Sequence, residues 1–177
     1  MLVLVVGPSG VGKDTLLDGA RIALADDRGV LFAQRQITRP AAAGGEAHIP
    51  IGESEFAARE AAGAFALSWR AHGLAYGVGV EIDSQLAAGL RVVVNVSRQV
   101  LNIARHRYGA IRVVSVTADP RVLAKRLRSR ARETEAEIAA RLARAAAVEV
   151  AGDDVVIVRN EGEPQEGVAQ LVAAIRR

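Results

Sequence analysis

The chain alternates between short apolar runs and stretches in which hydrophobic residues recur with helical spacing. The run Leu2–Val6 is rich in β-branched residues and predicts a buried strand, whereas the Ala/Leu-rich stretch 15–25 predicts a helix. The predicted strands are 2–6, 30–37, 65–69, 74–80, 91–96, 111–117 and 154–159. The predicted helices are 15–25, 53–62, 81–88, 97–108, 120–132, 135–150 and 165–175, with a loop over 38–52. This alternation predicts an α/β fold with a parallel sheet and helices on both faces.

Local signals support several of these boundaries. Gly89 and Gly109 follow two predicted helices, where glycine commonly ends a helix. Pro120 is suited to the first turn of a helix. Thr134 with Glu137 three residues later predicts a capping box at the start of the helix that follows.

Composition narrows the class of protein. A chain of 177 residues fits one domain, and 50% hydrophobic residues suffice for a substantial core. Cysteine is absent and Met1 leads at once into the first predicted strand without a basic leader, so we expect a cytoplasmic protein. No apolar run approaches the roughly 20 residues of a membrane span. A net charge of +3 with 3% aromatic residues gives little support to nucleic-acid binding.

A glycine-rich segment between the first strand and the first helix indicates the ligand class. It fits the pattern G-x-x-x-x-G-K and comprises Gly7, Pro8, Ser9, Gly10, Val11, Gly12, Lys13, Asp14 and Thr15. Glycines let the backbone wrap around a phosphate, and the helix N-terminus favours an anion. Lysine occurs elsewhere only at Lys125, in a chain that otherwise uses arginine. The segment therefore predicts a site for a nucleoside triphosphate, with Lys13 reaching the outer phosphates.

Asp14 departs from the pattern, because a Ser or Thr hydroxyl that binds Mg²⁺ is usual at this position. A carboxylate is also an oxygen ligand that suits Mg²⁺, so Asp14 is a candidate metal ligand, directly or through water. The alternative is that Asp14 only complements the positive end of the helix dipole.

Arginines dominate the region from 126 to 144. Phosphoryl transfer depends on positive charge around the transferred group, so these residues are candidates for a lid over the nucleotide. Taken singly, each of them fits a solvated basic face better than a lid, whereas the segment as a group favours a lid because the phosphate loop is present. The cluster comprises Arg126, Arg128, Arg130, Arg132, Arg141 and Arg144.

The order of motifs resembles the guanylate kinase family over almost the whole chain. The loop 7–13 is similar to that family's GPSGxGK, and Thr38-Arg39-Pro40 with Gly45-Glu46 resembles its acceptor-phosphate segment. Residues 73–77 resemble its G-N-Y-Y-G, and residues 130–142 resemble its lid. The resemblance implies a P-loop NTPase three-layer fold in a single domain, 1–177.

The same resemblance implies roles for individual residues. It gives an acceptor-binding insertion at about 37–80, with Arg39 and Tyr76 on the acceptor phosphate. It gives a lid at about 126–142, in which Arg130 and Arg141 close over the transferred group. Asn160, in the last motif, would lie near the adenine.

Two departures concern recognition of the base. Leu67 stands where guanylate kinases read guanine with a Glu, and Asn95 stands where they use an Asp. A leucine accepts no hydrogen bond, and losing polar recognition costs orders of magnitude in discrimination. The acceptor segment also lacks a second arginine, having Ala41-Ala42-Ala43 instead.

These departures resemble the ribose 1,5-bisphosphate phosphokinases, relatives of guanylate kinases from phosphonate breakdown. The shared segments are Gly12-Lys13-Asp14 and Val94-Asn95-Val96-Ser97-Arg98. The resemblance implies ATP and Mg²⁺, and a sugar bisphosphate acceptor that becomes 5-phosphoribosyl 1-diphosphate. Asn95 and Arg98 would contact that acceptor, with Arg70 and His72 as further sources of positive charge.

Other functions remain open at this point. A nucleoside monophosphate kinase with altered base recognition is the main alternative, and a non-catalytic guanylate-kinase-like binding module is another. The intact Lys13 and lid arginines favour catalysis over mere binding. A nucleic-acid-binding ATPase is a weaker alternative. The oligomeric state is left open, a homodimer included.

Overall fold

The computed structural model describes residues 1–40, 47–129, 134–146 and 150–177, with residues 144–146 described by their backbone. The strands are β1 Leu2–Val6, β2 Val30–Phe32, β3 Gln36–Ile37, β4 Ile49–Pro50, β5 Phe65–Ala71, β6 Leu74–Gly79, β7 Arg91–Asn95, β8 Ile111–Thr117 and β9 Val155–Arg159. The helices are α1 Lys13–Ala23, α2 Glu53–Ala61, α3 Glu81–Ala87, α4 Leu101–Arg107, α5 Pro120–Ser129, α6 Glu135–Ala146 and α7 Pro164–Arg176.

The larger sheet has five strands in the order β2-β7-β1-β8-β9. Parallel registers join Val30 to Arg91 in β2 and β7, and Val113 to Val155 in β8 and β9. All five residues of β1 are buried, as expected for an apolar strand inside a parallel sheet. The predicted α/β class with a parallel sheet flanked by helices is therefore confirmed.

A smaller sheet has the order β4-β3-β6-β5. Strands β5 and β6 form an antiparallel hairpin in which Ala71 pairs with Leu74. His72 and Gly73 form the tip of this hairpin, and both have positive φ, 53° and 72°. Two consecutive positive φ values are what the favoured two-residue hairpin turn requires.

Four predicted elements need correction. The strand predicted over 30–37 is wrong, because β2 pairs with β7 whereas β3 pairs with β4 and β6 in the other sheet. The predicted loop 38–52 contains the short strand β4. The helix predicted over 97–108 starts with a 3₁₀ turn, Arg98–Val100. Of the helix predicted to reach Val150, the described part ends at Ala146, and Val150 itself is not helical.

The chain forms two compact units, which divide the residues of β1 and β8. Unit 1 comprises Met1–Leu4 and Asp27–Arg112, and unit 2 comprises Val5–Asp26 and Val113–Arg177. In unit 1, Phe56 of α2 stacks on Phe65 of β5 with ring centroids 4.7 Å apart. Ile51 and Ala75 complete this cluster. The division into a single domain with two insertions stays a prediction.

In unit 2, two helix pairs build the core. Leu123 and Leu127 of α5 pack against Ile138 of α6. Helix α1 packs on α7 at Gly19, where an added Cβ would lie 3.2 Å from a methyl carbon of Val168 and even closer to the other. Among the described residues, no helix combines the length and the apolar character needed to cross a membrane.

Candidate functional site

The glycine-rich loop in unit 2 connects β1 to α1. Gly10 and Gly12 have φ values of 86° and 95°, in the region that glycine adopts without strain. A Cβ at Gly10 would lie 2.8 Å from the Leu127 side chain, and one at Gly12 would collide with the Asn160 amide. Both glycines are therefore required by backbone conformation and by close packing. Helix α1 begins at Lys13, two residues earlier than predicted, so Lys13 and Asp14 lie in its first turn.

The Lys13 ammonium folds back over this loop. Its Nζ donates hydrogen bonds to the carbonyl oxygens of Gly7 at 2.8 Å and Pro8 at 3.1 Å. Two accepting carbonyls hold the positive charge above a helix N-terminus, where an anion is favoured. This placement suits the predicted contact with the outer phosphates of a nucleotide.

The carbonyl of Val11, at the centre of the loop, is bound by two side chains. The buried Asn160 donates from Nδ2 to this oxygen at 2.8 Å. Arg126 of α5 donates from Nη1 to the Asn160 carbonyl at 2.7 Å and to the Val11 carbonyl at 3.4 Å. Asn160 thus reaches the loop backbone itself, whereas the sequence indicated only proximity to adenine. Arg126 was one of a cluster, and its contact with the loop was not predicted.

Helix α6, in the region predicted to form a lid, makes a second connection to the loop. Arg141 of α6 donates from Nη1 to Ser9 Oγ at 3.1 Å. The predicted capping box is confirmed: the Thr134 N–H donates to Glu137 Oε2 at 2.8 Å, and the Glu137 N–H donates to Thr134 Oγ1 at 3.3 Å. The bond from the Thr134 backbone lowers the pKa of Glu137, so the cap is charged near neutral pH. The predicted catalytic Arg130, with Arg132, lies outside the described residues.

Arg128 of α5 connects this helix to α6. Its guanidinium donates from Nε and Nη2 to the two carboxylate oxygens of Glu135, each at 2.7 Å. This bond lowers the pKa of the exposed Glu135. A bidentate pair fixes orientation even where its energy is small, and it connects α5 to the start of α6.

Asp14 is exposed in the first turn of α1, next to the exposed Thr15. No group of three or more potential metal-binding side chains occurs within the described part of the chain. A single carboxylate such as that of Asp14 is compatible with Mg²⁺, which usually takes one or two carboxylates together with substrate phosphates and water. Asp14 therefore fits a site completed by a nucleotide.

In unit 1, Tyr76 lies in the middle of three neighbouring strands. It pairs with Trp69 of β5 on one side and with Ile37 of β3 on the other. The rings of Trp69 and Tyr76 stack almost in parallel, 5.2 Å apart with an interplanar angle of 2°. The Arg35 guanidinium carbon lies 5.2 Å from the Tyr76 ring centroid and 5.7 Å from that of Trp69.

Arg39 is held by His48, which lies nine residues later in the chain. His48 Nδ1 lies 3.4 Å from Arg39 Nη2, and His48 Nε2 lies 3.1 Å from the Arg39 carbonyl oxygen. Sequence reasoning did not assign His48 to the site, because its partner lies nine residues earlier in a loop. Among the described residues, nothing accepts a hydrogen bond from the buried Arg39 Nε.

Asn95 and Arg98 lie three residues apart at the carboxyl end of β7. Asn95 is the last residue of that strand, and Arg98 opens the 3₁₀ turn that Ser97 caps. Burial lowers the pKa of the Arg98 guanidinium below its ordinary value. A half-buried cation gains from an anionic partner, as a phosphate would be.

Leu67 is 1% exposed and is buried in β5, so its position offers neither a donor nor an acceptor. Its neighbours are committed to other contacts. Ser68 and Arg70 both donate to the carboxylate of Glu60, at 2.8 Å and 2.9 Å, and the bond from Arg70 lowers the pKa of Glu60. The other suggested cation, His72, lies exposed at the hairpin tip.

The predicted site residues thus fall into two sets. Lys13, Arg141 and Asn160 converge on the loop in unit 2. Arg39, Tyr76, Asn95 and Arg98 belong to unit 1.

Comparisons with known proteins agree with this arrangement. No protein-family model matches the chain. A protein of Chromobacterium violaceum named ribose 1,5-bisphosphate phosphokinase PhnN is 52% identical over 163 residues, covering 92% of this chain and 87% of that protein. A protein of the same name from Laribacter hongkongensis is 51% identical over 172 residues. That match covers 97% of this chain but only 42% of the Laribacter protein.

A search of solved structures gives the fold. The crystal structure of guanylate kinase from Anaplasma phagocytophilum matches with a TM-score of 0.64 and 16% identity, covering 99% of this chain and 84% of that one. This likeness confirms the guanylate-kinase-like fold of P-loop NTPases that the motifs predicted. The identity and coverage of these relatives show that the chain belongs to the family of ribose 1,5-bisphosphate phosphokinases named PhnN.

Proposed function

We propose that this kinase transfers the γ-phosphoryl group of ATP to the 1-phosphate of ribose 1,5-bisphosphate. The products are 5-phosphoribosyl 1-diphosphate and ADP, in the cytoplasm and as a step of phosphonate breakdown. The observation that carries the proposal is the buried, apolar Leu67 in a chain that keeps an intact phosphate loop. The donor side keeps the elements of phosphoryl transfer, whereas the position that reads guanine in guanylate kinases has no polar group.

The donor-side residues each have a defined task in this proposal. Lys13 and the loop N–H groups hold the β- and γ-phosphates of ATP, and Asn160 with Arg126 fixes the loop conformation through the Val11 carbonyl. Arg141 stabilises the charge that spreads over the transferred group, together with the predicted Arg130.

A metal ion completes the donor side. Mg²⁺, when bound, neutralises charge on the phosphate oxygens, and Asp14 would hold it directly or through water. The exposed carboxylate of Asp14 stands at the start of α1, one residue after Lys13.

On the acceptor side, Arg39 and Tyr76 hold the phosphate that reacts, and Asn95 with Arg98 contacts the rest of the sugar phosphate. An oxygen of the 1-phosphate forms a bond to the γ-phosphorus, while the bond from that phosphorus to the β–γ bridging oxygen breaks. ADP leaves with the electron pair. The attacking oxygen is already anionic, so no general base is needed.

One experiment separates the possible acceptors. The protein is incubated with Mg-ATP and ribose 1,5-bisphosphate, GMP or no acceptor, and ADP is followed by a coupled assay, with ³¹P NMR of the product. We expect a diphosphate at C1 and ADP release that depends on the bisphosphate. Turnover of GMP alone would support a nucleoside monophosphate kinase instead, and no turnover in any arm would support a binding module.

A further inference from the structure

Three side chains of unit 1 form a group, and the proposed reaction assigns a role to only one of them, Tyr76. We call Arg35, Trp69 and Tyr76 the arginine–aromatic stack. The guanidinium carbon of Arg35 is nearly equidistant from the two rings, 5.7 Å from Trp69 and 5.2 Å from Tyr76. Trp69 is 6% exposed, so one ring of the stack is buried in the protein.

Sheet register explains how residues far apart in sequence meet here. Tyr76 stands opposite Ile37 of β3 and opposite Trp69 of β5, and directly paired residues point to the same face of a sheet. Arg35 precedes Ile37 by two residues, which returns its side chain to the same face. The backbone at Arg35 is fixed as well, because the Ile49 N–H donates to its carbonyl oxygen at 2.9 Å.

The chemistry of a stacked guanidinium suits phosphate. Aromatic rings that stack on a guanidinium contact its planar face, which leaves the in-plane N–H donors able to bind an oxyanion with two parallel bonds. Stacking also fixes the orientation of a long side chain, so less entropy is lost when the anion binds. Arg35 therefore combines a fixed charge with a position beside Tyr76.

A bisphosphate acceptor needs two cationic positions, and the geometry points to Arg35 for the second. Strand β3 separates Arg35 from Arg39, so the two side chains leave the chain at opposite ends of that strand.

We propose that Arg35, oriented by Trp69 and Tyr76, binds the non-reacting 5-phosphate of the acceptor. This makes Arg35 a determinant of the preference for a sugar bisphosphate over a sugar monophosphate. The inference rests on the proposed function for the identity of the acceptor.

The test compares two acceptors in two variants. The kcat/KM for ribose 1,5-bisphosphate is divided by that for ribose 1-phosphate, which lacks only the 5-phosphate. In Arg35→Met we expect this ratio to fall about 10- to 100-fold, the loss typical of a charge-assisted hydrogen bond, with the KM for ATP unchanged. Arg59→Met is the matched control, because it removes an equal charge from unit 1 and should leave the ratio unchanged.

Two further measurements keep the result decisive. Arg35→Lys keeps the charge but loses the planar fork, so a folded Arg35→Lys protein should still show a reduced ratio; it carries the test if Arg35→Met does not fold. Calorimetric titration of ribose 1,5-bisphosphate without nucleotide measures binding apart from turnover. A wild-type protein that forms no ADP would contradict the proposed function, whereas equal ratios and affinities in wild type and variants would overturn the role of Arg35.

Discussion

The proposed nucleotide side and the proposed acceptor side of this kinase are stabilised by different kinds of contact. In unit 2, charged and amide side chains bind the backbone of the phosphate loop, with Lys13 on Gly7 and Pro8 and Asn160 on Val11. In unit 1, Tyr76 is positioned by sheet pairing and by stacking on Trp69. Loss of a loop contact should therefore reduce the rate of transfer, whereas loss of an acceptor contact should mainly raise the KM of the acceptor.

Replacing Lys13 by Met should have the largest effect. It removes the ammonium that the loop carbonyls hold over the helix N-terminus, so we expect kcat/KM to fall by about 1000-fold or more. Lys125→Met is the matched control, since it removes the only other lysine, which is exposed on α5. ADP release under saturating bisphosphate measures the effect. Similar rates for the two variants would contradict the role of Lys13.

Replacing Arg141 by Gln should follow, with a fall in kcat of about 100-fold and little change in the KM of ATP. The reason is that Arg141 reaches the loop at Ser9 and is expected to act on charge that develops only during transfer. Arg121→Gln removes an exposed arginine at the start of α5 and serves as the control. An Arg141→Gln protein with unchanged kcat and a raised KM for ATP would assign Arg141 to binding alone.

Replacing Tyr76 by Phe isolates the acceptor side. Phe keeps the ring that stacks on Trp69 and removes only the hydroxyl, so the fold should be retained. We expect the KM of ribose 1,5-bisphosphate to rise about tenfold, as for one hydrogen bond to a charged group, with the KM of ATP unchanged. Initial rates over a matrix of both substrates measure this. A change in the KM of ATP alone would break the assignment of Tyr76 to the acceptor.

Replacing Asp14 by Ala tests the metal at the nucleotide side. We expect the Mg²⁺ concentration for half-maximal rate to rise by about tenfold if the carboxylate holds the ion, because a charged oxygen ligand is lost. Asp18→Ala removes another exposed carboxylate of the same helix and should leave the Mg²⁺ dependence unchanged. An unchanged Mg²⁺ requirement and rate in Asp14→Ala would leave Asp14 the role of complementing the helix dipole.

Much of the fold could be predicted because its signals are local. The buried strands β1, β7 and β8 are apolar runs, and the Thr134–Glu137 box lies within four residues. The single strand predicted over 30–37 is wrong because the pairing partners change within the segment. The Ala33 N–H still bonds to Val93 beside β2, but Gln36 already pairs with Gly77 in the other sheet. A change of sheet leaves no mark on the alternation of side chains.

The site residues also divide into those that local motifs predict and those that only the fold brings together. The loop, Arg141 and Tyr76 stand in recognisable motifs, and the structure places Lys13 and Arg141 at the loop. The bond from Asn160 to Val11 joins residues 149 positions apart, and neither spacing nor periodicity predicts such a pair. Arg35 was missed for a similar reason, since only the register of three strands brings it to Trp69 and Tyr76.

The smallest expected effect concerns the stability of unit 1 away from its acceptor residues. Asp83 of α3 accepts hydrogen bonds from Tyr108 at 2.6 Å and from Arg107 at 2.7 Å. Burial alone would raise the pKa of Asp83, but these bonds lower it below its ordinary value of 3.8. Burial and the bond to Asp83 also raise the pKa of Tyr108 to about 12, so the phenol remains a donor near neutral pH.

Replacing Asp83 by Asn should therefore lower the free energy of unfolding at pH 7 by less than about 1 kcal/mol, because the pair is largely exposed. A lowered pKa means that the carboxylate stabilises the fold above 3.8 and that this contribution is lost as the pH falls through the lowered value. Urea unfolding at pH 7 and at about pH 3 should show the difference between wild type and Asp83→Asn shrinking at the lower pH. Asp153→Asn, an exposed change in unit 2, is the control. A difference that stays constant with pH would show that the charge on Asp83 contributes nothing to the stability of unit 1.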